Sequence, residues 1–186
     1  MSNPVVKVEP EKSNVGKIIG AIAAVIIYLV LGLIAMLLIM SSVGFLPALI
    51  ASVIAFVPAF FYIIPLIFMD RYDPEPPWLI AAAFAWGGIV AVVFSFIVNT
   101  TLGEIAYAAT GSPELANVVG AVISAPIFEE LSKGIGVVIL LIFFRREFDD
   151  ILDGIVYGGV IGLGFATVEN VLYYGRGLLS GGIGAL

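Results

Sequence analysis

The sequence predicts an all-α polytopic membrane protein, a bundle of about five transmembrane helices. Of its 186 residues, 61% are hydrophobic and only 12% are charged, with a mean hydropathy of +1.16. A soluble domain is nearer 45–50% apolar and about 25% charged. Apolar runs of about 20 residues, long enough to cross a bilayer core as helices, recur along the chain. The polar breaks between them are short, and seven of the eight Lys and Arg lie in these breaks or in the segments flanking the runs. One transmembrane domain, residues 18–186, is expected behind a disordered cytoplasmic tail, residues 1–17.

Taken in order, the tail carries Lys7, Lys12 and Lys17. The first span covers residues 18–41. It exceeds the ~7–15 residues of a signal-peptide core and lacks a clear A-x-A site after it, so it reads as an uncleaved helix. The second span, residues 46–69, contains Pro47, Pro58 and Pro65 and reads as a bent packing helix, since neighbours can satisfy freed backbone groups. Asp70 to Trp78 follows as a rigid loop. Its prolines fix φ and exclude helix, and Trp78 suits the membrane interface. The third span, residues 79–100, ends in Asn99-Thr100-Thr101. A polar loop over residues 101–116 leads to the fourth span, residues 118–144. The acids Glu147, Asp149, Asp150 and Asp153 suit the N-terminal dipole of the fifth helix, residues 151–174. The glycine-rich tail is too short to span again.

Lys and Arg asymmetry sets the orientation. With the N-terminus in the cytoplasm, the inner segments hold Lys7, Lys12, Lys17, Arg71, Arg145 and Arg146, and the outer side holds only Arg176. There are no cysteines and no histidines. Disulfides, thiolate nucleophiles, Cys/His zinc sites and histidine dyads are therefore excluded.

Chemistry concentrates in Pro126-Ile127-Phe128-Glu129-Glu130-Leu131-Ser132-Lys133, inside the fourth span. Each charged residue at a helix centre costs roughly 2.5–3.5 kcal/mol on insertion scales, so an intramembrane ionisable cluster is a functional site by default. Glu129 and Lys133 are i,i+4, and Glu130 and Lys133 are i,i+3, so either pair can share a face. Glu129 lies about 16 Å from the outer end of the expected helix, and Glu169 about 8 Å from the end of the next. Pro126 removes its own donor and displaces a carbonyl beside the carboxylates.

On the fifth helix Gly154, Gly158, Gly162, Ala166 and Asn170 fall on one i+4 row. Such small residues predict close helix approach. The adjacent row is Asp153, Tyr157, Ile161, Phe165 and Glu169. A pocket uniting Glu129, Glu130 and Glu169 with Lys133 carries an excess of −2 when all are ionised. One glutamate is then expected to be protonated, or a cation bound. A glutamate base could activate water against a peptide carbonyl, with a protonated neighbour, Lys133 or Asn170 stabilising the oxyanion. The other reading is a non-enzymatic membrane protein: a proton or cation carrier, or a scaffold with a degenerate site. Buried carboxylates also serve proton relays, and proton flux in liposomes that is lost with Glu130→Gln would favour it.

Glu129-Glu130-x-x-Lys133 followed by Phe165-x-x-x-Glu169-Asn170 resembles the PrsW family of bacterial intramembrane proteases, distantly similar to CAAX-processing and bacteriocin-immunity membrane proteases. Asp153-Gly154-Ile155-Val156-Tyr157-Gly158, leading into Gly162-Leu163-Gly164-Phe165, resembles the family's glycine-rich approach to the second motif. Asp70 to Trp78 resembles its D-x-x-x-x-E-P loop. The resemblance covers about residues 60–176. It implies a protease in the bacterial cell (inner) membrane that cuts a membrane-anchored protein substrate, for example an anti-sigma factor, near the extracytoplasmic face. It implies partners in the lipid bilayer and no nucleic acid. Carried over by position, Glu129, Glu130, Lys133, Glu169 and Asn170 would be catalytic. The family is described both as metalloproteases and as glutamic proteases, so a divalent metal stays open as a cofactor. Its members usually continue into further helices, one carrying a functional histidine, whereas this sequence contains none.

Overall fold

A computed structural model describes residues 15–182 other than Asp70, Asp73 and Asp149, with the side chains of Lys17 and Ile18 also outside the description. The tail expected to be disordered therefore lies, up to residue 14, outside the described residues, as do Ile183 and Gly184. Among the described residues the chain is helical almost throughout, with no strand. The elements are α1 (Val15–Val43), α2 (Phe45–Met69), α3 (Pro77–Ala85), a π-helical turn (Trp86–Ala91), α4 (Val92–Thr110), α5 (Pro113–Asn117), a second π-helical turn (Val118–Ser124), α6 (Ala125–Phe143) and α7 (Ile151–Gly181).

By length and composition, four helices can cross a membrane: Ile19–Val43, Phe45–Met69, Pro77–Thr110 and Ile151–Gly181. The chain is thus an all-α, multi-pass membrane protein. The stretch through α5, the π turn and α6 is also continuous helix, but it carries Glu129, Glu130 and Lys133 and is not among those four. Large apolar side chains of α1 and α2 face outward all along their length, as a lipid-facing surface requires.

The third helix does not stop near Thr100 but runs to Thr110. Isolated polar residues do not break a helix, and Asn99 and Gly103 face a cavity rather than lipid. The stop is local and stereochemical. Gly111 adopts the left-handed conformation, φ +67°, and its N–H donates to the Tyr107 carbonyl at 2.7 Å. Ser112 then caps α5 by accepting from the Leu115 N–H at 3.3 Å, with Pro113 in the first turn. At the other end of the bundle Asp150 caps α7. It accepts from the Leu152 and Asp153 N–H groups, and Asp153 reaches back to the Asp150 N–H.

The centre of the bundle is α7. In its membrane-spanning window 44% of residues are buried, against 6% for α1, so α7 is the hub and α1 the periphery. Tyr157, Ile161, Val156 and Val160 pack on Leu79, Ala83 and Leu140. Ala51 and Ala55 of α2 bury against Val171, because small side chains let backbones approach. Close approach on α7 does not run along the expected row of Gly154, Gly158, Gly162 and Ala166. Gly162 has no heavy atom near the place where a Cβ would stand, and Ala166 is exposed. The tight contacts are at Gly159, Gly164 and Gly175. Gly164 meets the Phe84 carbonyl and the Gly88 nitrogen across the first π turn. Counting glycines in a row finds small residues, but only the azimuth of the neighbouring helices selects which of them face a backbone.

Buried at the α7 N-terminal end, the Tyr157 hydroxyl donates to the Glu75 carboxylate, and Phe148 stacks on the Tyr157 ring at 5.6 Å. Glu75 and Asp153 are both buried. The loop expected to be rigid is therefore pinned to α7 through its glutamate.

Candidate active site

Glu129 stands one turn into α6, just beyond Pro126. The proline has no N–H, and its ring excludes the carbonyl one turn earlier. The chain accommodates this with the π turn Val118–Ser124, whose extra residue per turn shifts the carbonyls. Because helix runs unbroken from Pro113, Glu129 lies about 24 Å along it from the Gly111 end of the bundle. Glu169 lies about 18 Å from the C-terminal end of α7. Both distances along the helix are longer than those counted from the shorter expected helices.

The backbone at Glu129 is braced by polar contacts across helices. Ser132 Oγ donates to the Glu129 carbonyl at 2.8 Å, and Ser95 Oγ of α4 lies 3.1 Å from Ser132 Oγ. Trp86 Nε1 donates to the Ser132 carbonyl at 3.0 Å, its indole lying against Gly136 where any larger residue would collide. A buried serine pair and an indole thus tie α4 and the first π turn to the carboxylate-bearing turn. Each such bond contributes about 0.5–1.5 kcal/mol net.

A cavity of about 620 Å³ lies between α4, the α5–α6 stretch and α7. Its lining includes Glu129 of α6 and Glu169 of α7, together with Asn99, Phe165 and Tyr173. It continues past Gly103 and Gly120 to Glu104, Tyr107, Pro113 and Arg176 near the Gly111 end. Tyr173 donates its hydroxyl to Glu169 Oε1 at 3.1 Å. Ser124 Oγ donates to Asn99 Oδ1 at 2.6 Å. Glycines make this wall: a Cβ on Gly120 would stand 2.9 Å from the Asn99 carbonyl, and one on Gly103 3.2 Å from that of Ala116.

The five residues singled out from sequence separate into two pairs, with Asn170 in neither. Glu129 and Glu169 come together in the cavity. Lys133 and Glu130 pair with each other at 2.5 Å on an outer face of α6, Glu130 being largely exposed. Lys133 Nζ also lies 4.4 Å from the centre of the buried Phe165 ring, linking α6 to α7. Asn170 is half-buried and does not line the cavity. The pocket expected to gather three glutamates around one lysine therefore holds two, and the lysine is engaged with the third. Sequence reasoning missed Asn99, Ser124 and Tyr173. A signal was available: Ser95, Asn99, Gly103 and Tyr107 fall on one i+4 row of an otherwise apolar helix.

The profile of the PrsW family intramembrane metalloprotease matches residues 75–185, more than half of the chain. The chain belongs to the PrsW family. It is 34% identical over 114 residues to Protease PrsW of Geobacillus kaustophilus, covering 61% of this chain and 45% of that protein. It is 32% identical over 107 residues to Protease PrsW of Oceanobacillus iheyensis, covering 58% and 46%. To Protease PrsW of Bacillus subtilis it is 31% identical over 109 residues, covering 56% and 44%. The chain thus spans a little under half the length of these relatives. No solved structure matches it.

The family's description as metalloproteases can be tested on the donors present. Among the described residues no group of three or more His, Cys, Asp or Glu could hold a metal ion. Catalytic zinc usually takes three protein ligands. The inner cavity offers two carboxylates, Glu129 and Glu169, with Glu104 nearer the mouth. The described residues do not by themselves fit such a site.

Proposed function

We propose that this PrsW-family chain forms the membrane-embedded part of an endopeptidase that hydrolyses a peptide bond of a membrane-anchored protein substrate near the extracytoplasmic face. One observation carries the reading. Two carboxylates from different helices, Glu129 and Glu169, line a single cavity between α4, α6 and α7. That arrangement can hold a water and direct it.

Glu129 accepts a proton from water while the water oxygen adds to the peptide carbonyl carbon. The carbonyl π pair moves onto its oxygen. Glu169, held by the Tyr173 hydroxyl, accepts the water's second O–H and orients its lone pair. Collapse of the tetrahedral intermediate breaks the C–N bond, and the departing nitrogen takes the proton from Glu129. One water is consumed, and a carboxylic acid and an amine are released. Glu130 and Lys133 act at one remove. Their pair, seated on Phe165, fixes α6 against α7 so that the two carboxylates stay opposed, and Asn170 borders Glu169 on the same turn. In the bacterial inner membrane with the N-terminus cytoplasmic, as the Lys and Arg distribution favours, the cavity mouth at Tyr107, Pro113 and Arg176 faces the outside. Single-span membrane proteins, anti-sigma factors first among them, are the substrate class to test.

The test is cleavage by the whole protein reconstituted in liposomes. Glu129→Gln and Glu169→Gln are each expected to abolish product formation while leaving the protein folded. Cleavage that persists in a pure Glu129→Gln preparation would sink the assignment. Glutamate-dependent proton flux without cleavage would replace it with the carrier reading.

A further inference from the structure

Hydrolysis as proposed above leaves one requirement unmet. Negative charge develops on the carbonyl oxygen as Glu129 takes up the water proton, and the Glu169 carboxyl in the same cavity offers it no donor. A preorganised donor must face that oxygen. Lys133 is committed to Glu130 and the Phe165 ring. Asn170 does not line the cavity. The Tyr173 hydroxyl is spent on Glu169. Resting on the protease reading, the geometry points to Asn99 as the oxyanion donor, a catalytic residue outside both sequence motifs.

Three features of the site support this. Asn99 lines the same cavity as Glu129 and Glu169, but from α4, the third wall. Its Oδ1 accepts the buried Ser124 hydroxyl at 2.6 Å, which orients the amide. Among the described residues its Nδ2 makes no hydrogen bond, so that N–H₂ remains for a ligand. The position is also held from behind. Gly120 packs on the Asn99 backbone carbonyl, and one turn earlier Ser95 is tied to Ser132 and so to the Glu129 turn. The π turn is what brings Ser124 to this place, two residues before Pro126. Amide donor and carboxylate base are thus fixed to the same short segment of backbone, a distance relation that substrate binding need not create.

The experiment uses the whole protein in liposomes with a pool of single-span reporter proteins randomised at the extracytoplasmic edge of the span. Products are quantified by mass spectrometry, and kcat and KM are then measured on the best-cleaved reporter. Asn99→Ala is expected to lower kcat by about 10²–10³-fold with KM changed little, the loss typical of one oxyanion donor. Asn99→Asp, which keeps the shape but replaces the donor by an acceptor, is expected to be at least as impaired. Ser124→Ala, which frees the amide to rotate, is expected to fall between these and the parent. Wild type that cleaves while Asn99→Ala keeps kcat within about threefold overturns the Asn99 role and leaves the protease reading standing. Asn99→Asp with parental kcat does the same. A loss confined to KM shows a binding contact and overturns the oxyanion role. No cleavage of the pool by wild type overturns both. Unfolding midpoints measured on the same preparations separate a misfolded variant from an inactive one, and the isosteric Asn99→Asp keeps the question answerable if Asn99→Ala is unstable.

Discussion

Two alanine substitutions on α7, two residues apart, are expected to have opposite signs. Gly164 faces the backbone where α3 passes into the first π turn. A Cβ built there would stand 3.0 Å from the Phe84 carbonyl carbon and 3.1 Å from the Gly88 nitrogen, with the Phe84 oxygen closer still. Backbone cannot rotate away as a side chain can, so α7 and the α3 segment must separate. Overpacking of this kind costs about 1–3 kcal/mol, occasionally more, and a backbone obstacle belongs at the upper end. Gly162, one residue of the row expected from sequence to pack tightly, has no heavy atom within 4 Å of its would-be Cβ. There alanine meets open space and gains helix propensity of roughly 0.8–1.0 kcal/mol over glycine. The propensity gain is common to both variants. The difference between them therefore isolates the steric term, about 2–3 kcal/mol with Gly164→Ala the less stable. Equilibrium unfolding of both variants in mixed micelles, titrated with SDS, measures it. Equal stability of the two variants, or a Gly162→Ala protein less stable than wild type, would refute the assignment of the tight α7 contact to Gly164. The functional readout should move with it. Phe165, beside Gly164, carries Lys133 on its face, and Glu169 follows one turn later, so Gly164→Ala should also depress cleavage whereas Gly162→Ala should not.

Tyr157→Phe keeps the ring stacked on Phe148 but removes the hydroxyl that Glu75 accepts in a buried setting. It is expected to destabilise by about 1–3 kcal/mol, read by the same SDS titration, and a change within ~0.3 kcal/mol would show that the bond is incidental. Tyr173→Phe removes one neutral donor from Glu169 and leaves the carboxylate in place. Its cleavage rate is expected to fall only a few-fold, matching about 0.5–1.5 kcal/mol, and a loss as complete as that of Glu169→Gln would show Tyr173 to be part of the chemistry itself.

The membrane class, the helical content and the two carboxylate-bearing helices are legible without coordinates. Hydropathy is a sum over local residues, and a charge inside an apolar run stands out whatever surrounds it. The helix ends were less legible. The polar cluster at Asn99 to Gly103 looks like a loop, yet the stop is written ten residues later in Gly111-Ser112-Pro113, where a left-handed glycine, a hydroxyl cap and a first-turn proline follow one another. The polarity that suggested a loop belongs to a cavity wall.

By itself, then, the sequence determined that this chain crosses a membrane as helices and that Glu129, Glu130, Lys133, Glu169 and Asn170 are polar residues set in its apolar runs. Composition and one-dimensional spacing carry that information. Only the tertiary structure decided which polar groups share a space. It set Glu129 opposite Glu169, seated Lys133 on Phe165, brought Asn99 and Ser124 to the cavity, pinned Glu75 to Tyr157 and selected Gly164 over Gly162 as the contact. Each of these depends on the rotation of one helix about its axis relative to another. That angle is fixed by packing among helices distant in sequence, through glycine–backbone contacts and a π turn that shifts register, and no local pattern encodes it.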